Sequence, residues 1–314
     1  MAAYYTFEDY SGSSTDAAKT DNPYHDLIES CNNDPSRIQV RYSSHRTNRN
    51  TQQKQKLLSS DFQGVTPDQI LSKLEDPIAY PGFKDHRHCL VFWARPTQAV
   101  KNLIQLVQKE LQDVVPHLWL MKPESLHMTA LEITHSLTAP EIEGIVEKVS
   151  PHAQEIADFT FSHRAPVVKP CLSFDAQAFA LSFLPADGEG GRAKEEDKYT
   201  YHHLRRDLFS LVQERTGVKV ASRYVIPSAH LTIARFLQTA DLETDGKLDH
   251  GKVKTMIDKV EEINAWLERE YWPQRGTIKE GGAWIVGEGK GLDYRKGTLW
   301  YGSGGETMRL GKGF

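Results

Sequence analysis

Ser125-Leu126-His127-Met128-Thr129-Ala130 and, in the second half of the chain, Ser228-Ala229-His230-Leu231-Thr232-Ile233 carry one pattern twice: Ser two places before His and Thr two places after it. Side chains of a β-strand alternate between faces, so in each copy Ser, His and Thr share one face. Leu126 and Met128, or Ala229 and Leu231, take the other. Strict alternation also places Leu131 on the face of His127, and Arg235 opposite Thr232. The repeat predicts two related lobes, each offering a polar strand face.

The surrounding signals alternate between strand and helix. Cys89-Leu90-Val91-Phe92-Trp93 is an apolar run that reads as a buried strand, and 97–115 has helical spacing with Leu103, Ile104, Val107 and Leu111 inward. A second helix is expected over 140–153 and strands over 165–174 and 178–184. After a Gly-rich loop at 187–197 the order recurs. A helix over 199–216 ends at Gly217, a strand covers 228–236, and an amphipathic helix spans 251–270 with Val253, Met256, Ile257, Val260, Ile263 and Leu267 inward. Closing strands are expected at 283–286 and 298–301.

Before residue 86 the chain is different in character. Residues 1–22 are rich in Ser, Thr, Asp and Ala and are expected to form a tail. Residues 23–60 are polar and basic, with Arg41, His45, Arg46, Arg49, Lys54 and Lys56. They read as a solvated surface helix, with an RNA-contacting arm as the alternative. Residues 63–85 look like a connector. The domain plan is therefore 1–22 tail, 23–85 extension and connector, and 86–314 catalytic unit.

The 314 residues, 39 % hydrophobic and 25 % charged, describe a globular chain. A formal net charge of −4 lacks the basic footprint of a protein that coats long nucleic acid, so a small anion or a strand end fits better. Three scattered cysteines, Cys31, Cys89 and Cys171, favour neither a disulfide framework nor paired zinc ligands. With no leader pattern at Met1–Tyr10 and no membrane-length apolar run, cytosol or nucleus is expected, and the chain is expected to act as a monomer.

Two imidazoles and two hydroxyls suit a phosphodiester. Such a reaction needs a base for the incoming oxygen and an acid for the leaving one, on opposite sides of an in-line displacement. Histidine titrates near neutrality, so one ring can be neutral while the other is charged. Thr129 and Thr232 can donate to the non-bridging oxygens, with Ser125 and Ser228 beside them. No metal or other cofactor is called for. Arg235 can contact phosphate or serve a structural ion pair. Trp93, Tyr224, Trp284 and Tyr301 are candidates to stack a base, core packing being the commoner role. The remaining histidines, His202 and His203 among them, read as surface or capping residues.

These paired motifs resemble those of the 2H phosphoesterase superfamily, the 2′,3′-cyclic phosphodiesterase and 2′-5′ RNA ligase-like proteins. His230-Leu231-Thr232-Ile233-Ala234-Arg235 is especially similar to its second motif, and the resemblance covers roughly 89–236. The region before it looks like an extension also found in fungal members. The resemblance implies an α+β fold of two pseudo-symmetric antiparallel sheets with outer helices around a central cleft. It implies His127 and His230 as the catalytic pair, Thr129 and Thr232 as phosphate holders, and a nucleotide or RNA end carrying a cyclic phosphate as partner. Other members trim RNA 3′ ends, and some only bind nucleotides. Ala130-Leu131-Glu132 departs from the pattern by bringing a carboxylate close to the first motif.

Overall fold

Both motif strands form as expected, and each lies at the inner side of its own antiparallel sheet. A computed structural model describes residues 8, 9, 11 and 21–314, so the expected tail lies almost wholly outside the described residues. The helices are α1 (His25–Ser30), α2 (Pro35–Leu57), α3 (Gln69–Glu75), α4 (Gln98–Gln112), α5 (Ala139–Val149), α6 (Ala153–Ala157), α7 (Tyr201–Thr216) and α8 (His250–Tyr271). The strands are β1 (His88–Ala94), β2 (Trp119–Leu120), β3 (Met128–Leu137), β4 (Pro166–Phe174), β5 (Ala178–Pro185), β6 (Ala229–Arg235), β7 (Glu243–Thr244), β8 (Lys247–Leu248), β9 (Ala283–Ile285), β10 (Leu292–Gly297) and β11 (Gly305–Leu310). None of the described helices is long and apolar enough to cross a membrane.

Read outward from the motif strand, the first sheet runs β3-β1-β10-β11 and the second β6-β5-β4-β9, with β2 on the free edge of β6. All these pairings are antiparallel. Helices α5, α6 and α7 pack on the first sheet, and α4 and α8 on the second. This is the expected α+β fold of two pseudo-symmetric sheets with outer helices. The α4 stripe is buried as expected, together with Val100, and so is that of α8. Thr97, Thr200 and Asp249 cap the N-termini of α4, α7 and α8, and Gly217 ends α7 with φ 65°, a left-handed conformation that glycine adopts at little cost. The helix expected over 140–153 breaks into a 3₁₀ turn at Ser150–His152, where Pro151 cannot donate to the helical ladder.

The pseudo-symmetry extends to a defect. Phe92 pairs with Leu131 and Trp93 with Thr129, leaving Ala130 as an extra residue on β3. Phe179 pairs with Ala234 and Ala180 with Thr232, leaving Ile233 extra on β6. Each motif strand thus bulges immediately after its threonine. A bulge inserts one residue and re-aims everything beyond it. Leu131, expected beside His127, therefore turns into the core and is 0 % exposed. Glu132 and Arg235, each three residues past its threonine, both line the cleft.

Two expectations are corrected. Residues 298–301 form no strand; they lie in the turn between β10 and β11, where Gly297, Gly302 and Gly304 all have positive φ. The basic stretch forms the expected helix with a solvated outer face, but its inner face is not solvated, because α2 lies along β4 and β5. Arg46 donates to the carbonyls of Lys169 and Ser182 (2.7 and 3.5 Å), Arg49 to that of Phe174 (3.0 Å), and Asn50 to that of Leu172 (3.1 Å). Ile38, Tyr42, His45 and Arg46 are buried. The main hydrophobic cluster runs from Tyr24 to Tyr294, and a small second one joins Cys89, Val91, Trp93 and Leu299.

Candidate active site

His127, Thr129, Ser228, His230 and Thr232 line one cavity of about 440 Å³ between the sheets, within the usual size range for small-ligand sites. Both imidazoles reach it, and each is fixed through Nδ1. His127 Nδ1 lies 2.7 Å from the carbonyl oxygen of Ser125, and His230 Nδ1 lies 2.9 Å from the hydroxyl of Ser228. Nε2 of each ring has no hydrogen-bond partner among the described residues. A carbonyl can only accept, so neutral His127 carries its proton on Nδ1 and presents a lone pair at Nε2. A hydroxyl can donate or accept, so His230 is free to carry a proton on Nε2.

Ser125 therefore acts through its main chain. It sits in a turn ahead of β3 rather than on the strand, and its side chain is buried. Ser228 likewise precedes its strand but keeps its hydroxyl on the ring. The matched sequence positions thus orient the two rings by different chemistry.

Trp93 adds a support that local pattern does not reveal. Its indole stacks on His127 with centroids 3.7 Å apart and planes inclined by 18°, while Arg95 and Arg295 stand over it at 4.8 and 5.1 Å. It is 2 % exposed, so it positions the imidazole instead of offering a face to a base. Burial pushes His127 down to about 3, with the Arg95 and Arg295 charges adding to it and the Ser125 carbonyl opposing. Burial, then the charge of Arg49, likewise holds His230 at about 3. Burial thus favours the neutral form of both rings near neutral pH.

The cavity is lined by five arginines, Arg46, Arg49, Arg87, Arg223 and Arg235, against three carboxylates, Asp68, Glu132 and Asp175. An anion is the ligand this excess favours. Glu132, the carboxylate three residues past Thr129, is gripped by Arg223 at 2.5 and 3.0 Å and by the Arg223 main-chain N–H at 3.1 Å. The pair links β3 to the segment leading into β6. Arg235 makes a structural pair after all, 3.4 Å from Asp68, while still facing the cavity. Tyr301 is buried; its hydroxyl donates to Asp68 (2.7 Å) and accepts from Arg87 (3.2 Å), so it braces the rim. Of the other stacking candidates, Trp284 is buried in the core and Tyr224 lies half-buried, its ring 6.0 Å from that of His230.

Sequence reasoning missed Asp68, which the expected connector delivers to the cavity. It missed Trp300, whose ring lies between guanidinium carbons of Arg87 and Arg223 at 4.3 and 4.4 Å. His202 is also not a surface residue. Its Nε2 donates to the Tyr24 carbonyl (3.0 Å) and its Nδ1 accepts from Tyr42 (2.9 Å), fastening α2 to α7. His203, also buried, does cap, closing the first turn of α7 with Thr200. Among the described residues no group of three or more His, Cys, Asp or Glu side chains is arranged to hold a metal ion.

Fold and site together define a two-lobed α+β protein in which matched His-x-Thr strands meet at one anion-favouring cavity. No protein-family model matches the chain, and no curated protein matches it. Among solved structures it is similar to Kluyveromyces marxianus Usb1 with uridine monophosphate, at 13 % identity and a TM-score of 0.35, over 72 % of this chain and 98 % of that one. Kluyveromyces marxianus Usb1 in a second structure gives 12 % and 0.33, over 72 % and 99 %.

Proposed function

We propose that this chain is a metal-independent phosphodiesterase that opens a 2′,3′-cyclic phosphate on a nucleotide or an RNA end by two-histidine acid–base catalysis. The observation that carries the reading is the convergence of His127 and His230 on one cavity, each with Nδ1 hydrogen-bonded and Nε2 without a hydrogen-bond partner among the described residues. Nε2 of His127 takes a proton from water as its oxygen attacks phosphorus. The bond from phosphorus to one ribose oxygen breaks, and His230, brought to its imidazolium form by the bound anion, gives that oxygen the proton on Nε2 and keeps the one on Nδ1 beside the Ser228 hydroxyl. Thr129 and Thr232 donate to the non-bridging oxygens as charge builds there. The product is a phosphomonoester, and solvent resets both rings. A pure binding module would need neither ring in a defined tautomer.

Arg46 and Arg49 of the basic stretch turn to the cavity instead of forming an outer basic surface, which supports a nucleotide or a chain end as substrate. The test is product analysis of the purified protein with cyclic mononucleotides and cyclic-phosphate RNA, chelator present, alongside His127→Ala and His230→Ala. Each variant is expected to lose at least about 100-fold in turnover, the usual worth of a general acid or base. A folded variant near the wild-type rate removes that histidine from the mechanism. Turnover lost in chelator and restored by a divalent cation sinks the two-imidazole scheme.

A further inference from the structure

The two halves of the cavity differ at one matched position. Across the first sheet Thr129 pairs with Trp93; across the second, at the same place beside the bulge, Thr232 pairs with Ala180. One step further, Arg235 pairs with Ala178. Trp93 fills its side, lying against His127 with Arg95 and Arg295 over it. On the other side, among the described residues, no indole stacks on His230, and the ring of Tyr224 lies 6.0 Å away and tilted by 45°. Ala178 and Ala180 face the cavity and stay partly exposed, whereas Phe179 and Leu181 of the same strand point into the core at 0 % exposure. The β4–β5 turn closes the outer end of this alanine floor, with Arg49 held 2.6 Å from Asp175.

We propose that Ala178 and Ala180 form a shelf that seats the nucleoside of the substrate, with its phosphate lying between the two histidines. This rests on the reading of the cavity as a cyclic-phosphate site and deepens it by naming the residues that choose a nucleoside-bearing ligand over a bare phosphate. A base and sugar need room beside the phosphate, and the small side chains of Ala178 and Ala180 leave it on the β5 side. Any heavy atom added beyond Cβ at position 180 stands in that space. The shelf also agrees with the division of labour. The leaving oxygen belongs to the ribose, so the acid must stand on the nucleoside side, and it is His230 that shares a sheet with the shelf.

The experiment is calorimetric binding of uridine and adenosine 3′-phosphates, which are not consumed, and of inorganic phosphate, to wild type, Ala180→Phe and the milder Ala180→Met, with thermal melts of each. Ala180→Phe is expected to weaken the nucleotides at least about tenfold and inorganic phosphate by less than about threefold, with Met between, because the added bulk meets the nucleoside alone. If the Phe variant does not fold, the Met variant decides. A folded variant that binds the nucleotides within about twofold of wild type, or that loses inorganic phosphate equally, overturns the shelf. So does a wild type that binds all three ligands alike. The activity is judged separately: wild type that binds nucleotides through Ala180 but turns over no cyclic phosphate keeps the shelf and loses the enzyme.

Discussion

The hydroxyl oxygen of Ser228 stands 2.9 Å from Nδ1 of His230, whereas Ser125, its counterpart in the repeat, offers His127 a main-chain carbonyl at 2.7 Å. The same residue type at the same offset therefore has two different dependences on its side chain. Ser228→Ala removes the contact that orients the ring, worth about 1 to 1.5 kcal/mol, and is expected to lower kcat roughly five- to tenfold. Ser125→Ala leaves the carbonyl in place and should stay within about twofold of wild type, because the acceptor is unchanged. Steady-state kinetics on the two variants checks this. Equal losses would mean that both hydroxyls serve the substrate instead of the rings.

The Glu132–Arg223 pair joins β3 to the segment leading into β6, with side chains 3 % and 13 % exposed. Breaking a buried pair strands the surviving charge, so Glu132→Ala and Arg223→Ala should each cost about 3–5 kcal/mol of stability. The double variant strands neither charge and should cost clearly less than the sum. Denaturant unfolding of the three proteins measures this, and additivity within about 0.5 kcal/mol would show that the two groups act independently.

Much of the site was legible because its strand segments are local. Two His-x-Thr motifs on alternating strands need only the period of a strand, and the α4 and α8 stripes only that of a helix. What defeated the reading was non-local. Alternation fails one residue past each threonine, where neither Ala130 nor Ile233 announces a bulge. Leu131, which alternation sets beside His127, therefore turns into the core, and Arg235, which alternation aims away, lines the cavity. Helix α2 buries Tyr42, His45 and Arg46 as well as Ile38, so its inner face looks polar, and the partners that satisfy it lie on β4, β5 and α7. Thr298–Tyr301 has strand-forming residues, yet the flanking glycines with positive φ make it a turn.

Four buried or half-buried histidines tie stability to pH. Burial first holds His127, His202 and His230 at about 3 and His203 at about 4, below the value of about 6.5 they regain on unfolding. Between those limits the unfolded chain binds more protons, so stability is full above pH 6.5 and is lost as pH falls towards the folded values. Each such histidine adds up to about 1.4 kcal/mol per pH unit to the slope. His202→Phe should cost about 1–3 kcal/mol at pH 7.5, through the unpaired Tyr42 hydroxyl and Tyr24 carbonyl, yet flatten the decline between pH 6 and 4. Unfolding curves across that window decide it. A slope as steep as that of wild type would place the titration elsewhere.

Burial, which favours the neutral form of both rings, governs how the rate should respond to pH. A cyclic phosphate brings a negative charge beside both Nε2 atoms, and a nearby opposite charge favours the imidazolium form. Proton affinities depressed by burial in the free protein therefore rise in the complex. Because kcat/KM reports the free protein and kcat the complex, the kcat/KM bell should be centred at lower pH than the kcat bell, by at least about one unit. Profiles of both constants from pH 4 to 9 make the comparison. Superimposed bells would mean that the bound phosphate does not reach the rings. The assignment of roles can be checked in the same measurement through residual activity. With His127 as base, His127→Ala should retain its falling limb and lose the rising one, since only the acid still titrates. With His230 as acid, His230→Ala should do the reverse. Limbs lost in the opposite order would exchange the two roles while leaving the cavity, the threonines and the in-line path as they stand.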